Sequence, residues 1–145
     1  MAFRGTFDYS LDAKNRLTVP AKFRPTLAGG VVLSRSLDVP CVELWRPDAY
    51  DRFTTESLKD LNPMAPEVRR LRRFFASSSF ETELDGAGRV AVPPPLAQHA
   101  SLDKEVTVVG AEDHLEIWSR DAWLAHDAEL AAEVPDLAAR LGHPA

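Results

Sequence analysis

Asp12-Ala13-Lys14-Asn15-Arg16-Leu17-Thr18-Val19-Pro20 and Asp85-Gly86-Ala87-Gly88-Arg89-Val90-Ala91-Val92-Pro93 stand 73 residues apart and share one pattern. In each, a small or polar stretch bracketed by Asp and Arg leads into a short apolar, mostly β-branched run that stops at Val-Pro. Gly, Asn and Asp between apolar runs mark a tight turn. Proline has no amide donor, so it closes a strand rather than extending the ladder.

Working outward, a shift of 73 aligns the two halves of the chain. Between positions 7 and 49 ten residues recur: Phe7/Phe80, Leu11/Leu84, Asp12/Asp85, Arg16/Arg89, Val19/Val92, Pro20/Pro93, Glu43/Glu116, Trp45/Trp118, Asp48/Asp121 and Ala49/Ala122. Chance would supply roughly two or three in such a window at ordinary composition. Leu17/Val90, Leu44/Ile117 and Tyr50/Trp123 add conservative pairs. The chain reads as a duplicated module.

Each copy has the same grammar. A short strand (5–9; 78–82) precedes the loop, the strand ending in Val-Pro follows it, and a short helical turn comes next. Another apolar run (31–34; 106–109) leads through a turn (38–40; 111–113) into an alternating strand (42–45; 115–118). Both copies then turn helical. Ser119 is the expected N-cap with Arg120 the first helical residue, and Arg46 and Pro47 take those places in the first copy. Asp48 and Asp121 fall in first turns, where the helix dipole favours a carboxylate. The last helix is expected to end near Glu133. Another helix is predicted over 66–76, with Val68, Leu71, Phe74 and Phe75 on one side and Arg69, Arg70, Arg72 and Arg73 on the other. Those arginines suit DNA, but a solvated face is the more ordinary role for such a run.

The expected organisation is a first module at 5–50, a helical connection at 51–77, a second module at 78–123, a C-terminal helix at 119–134 and a flexible tail at 135–145. The chain has 145 residues, 45% of them hydrophobic and 27% charged, which suits a folded domain rather than wholesale disorder. No apolar run approaches the ~18–20 residues that span a bilayer, and no signal-peptide pattern precedes Arg4. Cys41 is the single cysteine, so no internal disulfide can form, as expected of a cytoplasmic protein.

Net charge is −5, yet it is unevenly spread. Residues 1–36 hold six Lys/Arg against Asp8 and Asp12, a net +4, whereas residues 113–145 carry a net −5. An acidic protein can therefore still present a narrow basic face to phosphate.

Little in the sequence suggests catalysis. His99, His114, His126 and His143 share no metal-ligand spacing with one another or with Cys41. Gly86-Ala87-Gly88 lacks a third glycine and lies between strands, and no nucleophile-elbow pattern surrounds Ser77-Ser78-Ser79. The Asp-x-x-x-Arg loops are the informative element. Their spacing lets carboxylate and guanidinium meet as a structural ion pair while the carboxylate accepts turn amides. Their basic side chains also suit nucleic acid: Arg can fork onto guanine O6/N7, Asn can bridge adenine N6/N7, and Lys can neutralise phosphate. Both readings stand at this point.

Phe3-Arg4-Gly5, the two loops, the paired Val-Pro strand ends and Arg73-Phe74-Phe75-Ala76-Ser77 together resemble the MraZ family of bacterial transcriptional regulators. That family sits among the swapped-hairpin DNA-binding proteins of the AbrB and MazE type. The resemblance implies an α+β, mainly β fold, with tandem duplicated swapped-hairpin modules forming a β-barrel-like core with appended α-helices. It also implies a ring-shaped homo-oligomer, an octamer, that binds short G-rich direct repeats in double-stranded DNA upstream of its own operon, at the head of the division and cell-wall gene cluster. The setting would be cytoplasmic and nucleoid-associated, with no cofactor, no metal and no membrane. Carried over by position, Lys14, Asn15 and Arg16 are DNA readers, Arg4 a supporting contact, and Arg89 the contact from the second loop. Asp12 and Asp85 shape the loops. Gly86 and Gly88 have no side chains to offer, so the first loop is expected to dominate.

Two other classes compete with this reading. An antitoxin-like or scaffolding oligomer would act mainly through protein partners, as an aromatic stripe at Phe74 and Phe75 and an acidic C-terminal third suggest. A small hydrolase with an unrecognised site is the other.

Overall fold

The computed structural model describes residues 2–142. Eight strands and four α-helices follow in chain order: β1 Thr6–Ser10, β2 Arg16–Thr18, β3 Val31–Arg35, β4 Val42–Trp45, α1 Pro47–Leu58, α2 Pro66–Ser77, β5 Ser79–Thr82, β6 Arg89–Ala91, α3 Pro94–His99, β7 Glu105–Gly110, β8 His114–Ser119 and α4 Arg120–Arg140. The strands form an antiparallel six-stranded sheet, ordered β1-β7-β8-β4-β3-β5, and a two-stranded ribbon, β2-β6. The architecture is α+β, built on a strand core.

The two repeats are interleaved. β1 of the first pairs with β7 of the second, and β5 of the second pairs with β3 of the first. β2 pairs with β6 and β4 with β8, so only the hairpins β3–β4 and β7–β8 stay within a repeat. The registers obey a pseudo-two-fold. Leu17 faces Val90 and Glu43 faces Glu116, each residue opposite its own counterpart at a shift of 73. Phe7 faces Val108 and Phe80 faces Leu33, so β3 corresponds to β7 at a shift of 75. Two extra residues before β7 are offset by a shorter β7–β8 turn.

Alternation along the strands buries both faces of the central sheet. Leu33, Val42, Leu44, Val106, Val108, Leu115 and Ile117 point inward and meet Leu17, Val19, Val90 and Val92 from the ribbon. On the outer face, Val32 and Trp45 pack beneath Tyr50 and Phe53 of α1, while Val109 and Trp118 pack beneath Ala122 and Trp123 of α4. Both Val-Pro ends stop their strands as read, and a helical turn follows each: a 3-10 turn at Ala21–Phe23 in the first repeat, α3 in the second.

Ser119 caps α4, its Oγ accepting from the Ala122 N–H at 3.3 Å. That helix does not stop near Glu133 but runs through Pro135 to Arg140. Proline costs the helix one backbone bond, but the flanking alanines are the best helix formers, and they carry it past. Residues 135–140, expected in the tail, are thus helical, and 143–145, with His143, lie outside the described residues. α2 turns its apolar side toward α1: Phe75 meets Phe53 at 5.8 Å between ring centroids, and the Tyr50 hydroxyl donates to the Phe75 carbonyl at 3.1 Å. Phe75 is therefore buried and Phe74 half-buried, while Leu71 and the four arginines of α2 are exposed.

Leu17 is fully buried at the pseudo-dyad. Leu17→Ala should destabilise the protein by about 2–5 kcal/mol, the usual cost of emptying a core leucine site. Urea unfolding measures this, and a loss under ~1 kcal/mol would mean that the ribbon does not close the core.

Candidate nucleic-acid interface

The Asp12 carboxylate organises the first loop. Its Oδ1 accepts the backbone N–H groups of Lys14 and Arg16, both at 2.9 Å, and its Oδ2 accepts Arg16 Nε at 2.7 Å. The turn is closed by Asn15 N–H to Asp12 carbonyl at 3.0 Å and Asp12 N–H to Arg16 carbonyl at 3.1 Å. Asn15 takes a positive φ of 56°, which asparagine tolerates better than most residues. The second loop repeats every bond. Asp85 Oδ1 accepts from Ala87 and Arg89, both at 2.9 Å, and Oδ2 accepts Arg89 Nε at 2.8 Å.

The loops are also stitched to each other. Val19 N–H donates to the Gly88 carbonyl at 2.9 Å and Val92 N–H to the Asn15 carbonyl at 3.0 Å. Each loop therefore clamps the Val-Pro end of the other repeat's strand, and the two lie at opposite ends of the ribbon. A three-residue antiparallel ribbon is about 10 Å long, so the loops flank one compact surface. Leu17 and Val90 point inward, which leaves Arg16, Thr18, Arg89 and Ala91 on the outward face. Arg16 and Arg89 stand diagonally across it. Arg4 is more peripheral and highly exposed, 3.6 Å from Glu112.

The Arg16 backbone N–H, more than any other group, holds the Asp12 carboxyl below the usual carboxylate range; some loss of hydration opposes it, and the Arg16 side chain and the Lys14 N–H add to it. Asp85 is lowered in the same way by Arg89 and Ala87. Both loops therefore keep their charge pairs above the ordinary carboxyl value and lose them only as pH falls through the lowered one.

The sequence missed a second constellation, on the outer sheet face. Glu43 and Glu116 stand opposite each other at the pseudo-dyad, and each accepts the indole N–H of its own strand's tryptophan, Trp45 at 3.0 Å and Trp118 at 2.9 Å. His114 reaches Asp113 Oδ1 at 2.7 Å, Glu116 Oε2 at 3.3 Å and Glu43 Oε2 at 3.7 Å, and its ring stacks on Trp45. Its counterpart at a shift of 73 is Cys41, whose thiol lies within 4.8 Å of both glutamates. Burial pushes Glu43 up and Cys41 far up, while Glu116 is lowered, burial being outweighed by its bonds to His114 and Trp118. The repeated Glu-x-Trp was the available signal. It marked an alternating strand, but not that the glutamates turn toward each other.

The exchange of strands about an internal pseudo-dyad, with one clamped loop at each end of the ribbon, defines a duplicated, interleaved class of protein. The chain belongs to the MraZ family: the family model described as "MraZ protein, putative antitoxin-like" matches residues 2–74 and again 75–141. Relatives named transcriptional regulator MraZ occur in Thermomicrobium roseum, 37% identical over 139 residues and 96% of each chain, and in Lactiplantibacillus plantarum, 38% identical over 96% of this chain and 97% of that one. The one from Azotobacter vinelandii is 38% identical over 90% of this chain and 88% of its own. No helix among the described residues is long and apolar enough to cross a membrane.

Two measurements check these electrostatics. In a carbon-detected NMR titration, Asp12 and Asp85 should both titrate below the ordinary value of about 3.9; a normal value for either would mean that its turn bonds do not persist in solution. For His114, burial alone would lower the pKa, but bonds to Glu116 and Asp113 and the Glu43 charge outweigh it and raise it. Its stabilising contribution is complete below the unfolded value of about 6.5 and is lost as pH rises through the raised folded value. Thermal midpoints should therefore fall as pH rises above about 6.5, and His114→Gln should flatten that decline. An unchanged profile in the variant would exclude His114 as its source.

Proposed function

We propose that this protein is a sequence-specific DNA-binding transcriptional regulator of the division and cell-wall gene cluster, including its own promoter. In this reading it is cytoplasmic and nucleoid-associated, and binds short G-rich direct repeats through the Asp-x-x-x-Arg loops of a ring-shaped homo-oligomer, an octamer. The observation that carries the reading is the doubled loop, in which one carboxylate holds two backbone amides and an arginine Nε, and does so twice. Within the Arg16 guanidinium Asp12 engages only Nε, which leaves the end-on Nη1/Nη2 pair to fork onto guanine O6/N7. The ion pair and the DNA contact are thus parts of one device: the carboxylate fixes the guanidinium before DNA arrives, so less side-chain freedom is lost on binding. Lys14 neutralises phosphate, Asn15 adds a base-edge contact, Arg89 acts from the second loop, and Arg4 supports from the side. The relatives, named transcriptional regulators, support the regulatory role.

One loop makes few contacts, so a lone subunit binds weakly and with strong salt dependence. Subunits joined in a ring make successive contacts intramolecular and multiply avidity. Loops of neighbouring subunits would meet repeats about one turn, ~34 Å, apart on one face of the duplex. A closed ring cannot follow straight DNA over several such sites, so it deforms or opens on binding.

An antitoxin-like or scaffolding oligomer acting through protein partners has one observation in its favour: α4 exposes Leu124, Leu130 and Val134 among acidic residues. The aromatic stripe of α2 does not support it, because Phe75 is spent on α1.

The test is an anisotropy titration against the protein's own upstream duplex and a scrambled duplex, over a salt series. Arg16→Ala should lose about 1–3 kcal/mol of specific binding without changing oligomer size. Equal weak binding to both duplexes, or an unaffected variant, would overturn the loop assignment and bring the partner-binding reading forward.

A further inference from the structure

The second loop has been counted as the poorer one, because Gly86, Ala87 and Gly88 stand where the first has Ala13, Lys14 and Asn15. Its surroundings change that. Gly88 has a positive φ of 75°, and a Cβ built there would lie 2.5 Å from Cδ and 2.8 Å from Cζ of Arg24, and closer still to Nε. The Arg24 side chain therefore fills the space that a side chain at position 88 would occupy. Arg24 follows β2, in the first repeat, and it reaches the second loop because the ribbon sets the end of β2 against that loop. Its Nε donates to the Val19 carbonyl at 2.9 Å, and the Val19 N–H donates in turn to the Gly88 carbonyl. Guanidinium and loop are thus anchored to the same residue.

The arrangement is reciprocal across the pseudo-dyad. At a shift of 73, Asn15 corresponds to Gly88 and Arg24 to Ala97. The first repeat carries its polar side chain in the loop, and its partner segment offers alanine. The second loop has glycine, and its partner segment offers arginine. Among the described residues Arg24 makes no ion pair with any carboxylate, unlike Arg16 and Arg89. It is half-buried, so its stem is held while the charge is left uncompensated.

We infer that Arg24 is a DNA-phosphate contact of the second loop, supplied to it by the first repeat, so that Arg24 and Arg89 give this loop a cationic surface comparable with that of Lys14 and Arg16. This rests on the reading that the Asp-x-x-x-Arg loops face DNA. A phosphate fits the chemistry: Nε is already engaged, and the remaining Nη1/Nη2 fork suits an anionic oxygen pair.

The experiment compares Arg24→Gln, Arg24→Lys and Arg16→Ala in the full chain. Each is titrated by anisotropy against a fluorescein-labelled duplex of the protein's own upstream DNA and a scrambled duplex, at several salt concentrations, with a thermal melt of each variant. Arg24→Gln should weaken binding to both duplexes by about tenfold or more and make the salt slope shallower by roughly 0.9 per Arg24 on DNA. Arg24→Lys should recover most of the affinity and the slope. Wild-type affinity and slope in Arg24→Gln, beside a loss in Arg16→Ala, would overturn the inference while leaving the loop reading intact. A loss in Arg24→Gln that tracks a lowered melting temperature and is not rescued by lysine would also overturn it, making Arg24 a packing residue. If neither Arg16→Ala nor Arg24→Gln alters binding, the loop reading and the inference fall together.

Discussion

The backbone ladder between the two repeats is the constraint on which the rest depends. Four of the six strand pairings cross from one repeat to the other. Cut away from its partner, either repeat would leave open strand edges and half a core, both unfavourable in water. The ribbon is the smallest of these pairings and the most consequential. Leu17 and Val90 bury its inner side, and the bonds from Val19 to Gly88 and from Val92 to Asn15 tie each loop to the far strand. Loop geometry is thereby coupled to core packing, and a short surface segment gains the rigidity of the interior.

The outer sheet face shows how far duplication has been relaxed. The glutamate and tryptophan positions are retained in both repeats with the same indole-to-carboxylate bond. The position next to them holds Cys41 in one repeat and His114 in the other. Two carboxylates facing each other in a half-buried setting repel; His114 favours the charged form of both, but it hydrogen-bonds Glu116 and stands farther from Glu43, where burial wins. The pair is consequently split, with Glu43 raised and Glu116 lowered.

Much of this was legible in the chain because the signals were local. The Val-Pro ends, the Ser119 cap, the alternating strands and the repeat itself need only neighbouring residues to be read. The hydrogen bonds of Asp12 and Asp85 were legible for the same reason, since four-residue spacing across a turn brings carboxylate and guanidinium together. The strand exchange was named only through family resemblance. Alternation tells which face of β1 is buried, but not whether β1 lies beside β3 or β7. Pro135 looked like a terminator because its penalty is local, whereas the alanines that carry the helix past it act cumulatively. The stripe at Phe74 and Phe75 was read correctly as apolar, yet nothing near it in sequence revealed that α1 covers Phe75. Arg24 escaped notice because it breaks the repeat: its counterpart is Ala97, and its neighbour Gly88 is distant in sequence.

Joining the two halves of such a structure in one chain has a consequence that two separate identical chains could not reach. A symmetric dimer must present the same group at both ends of its ribbon, so it cannot tell one direction along a polymer from the other. Here one end carries Lys14 and Asn15, and the other carries Gly88 with Arg24 laid over it. The ribbon therefore has a head and a tail, and a surface with polarity can be laid down in one orientation, copy after copy, along a lattice whose units all point the same way.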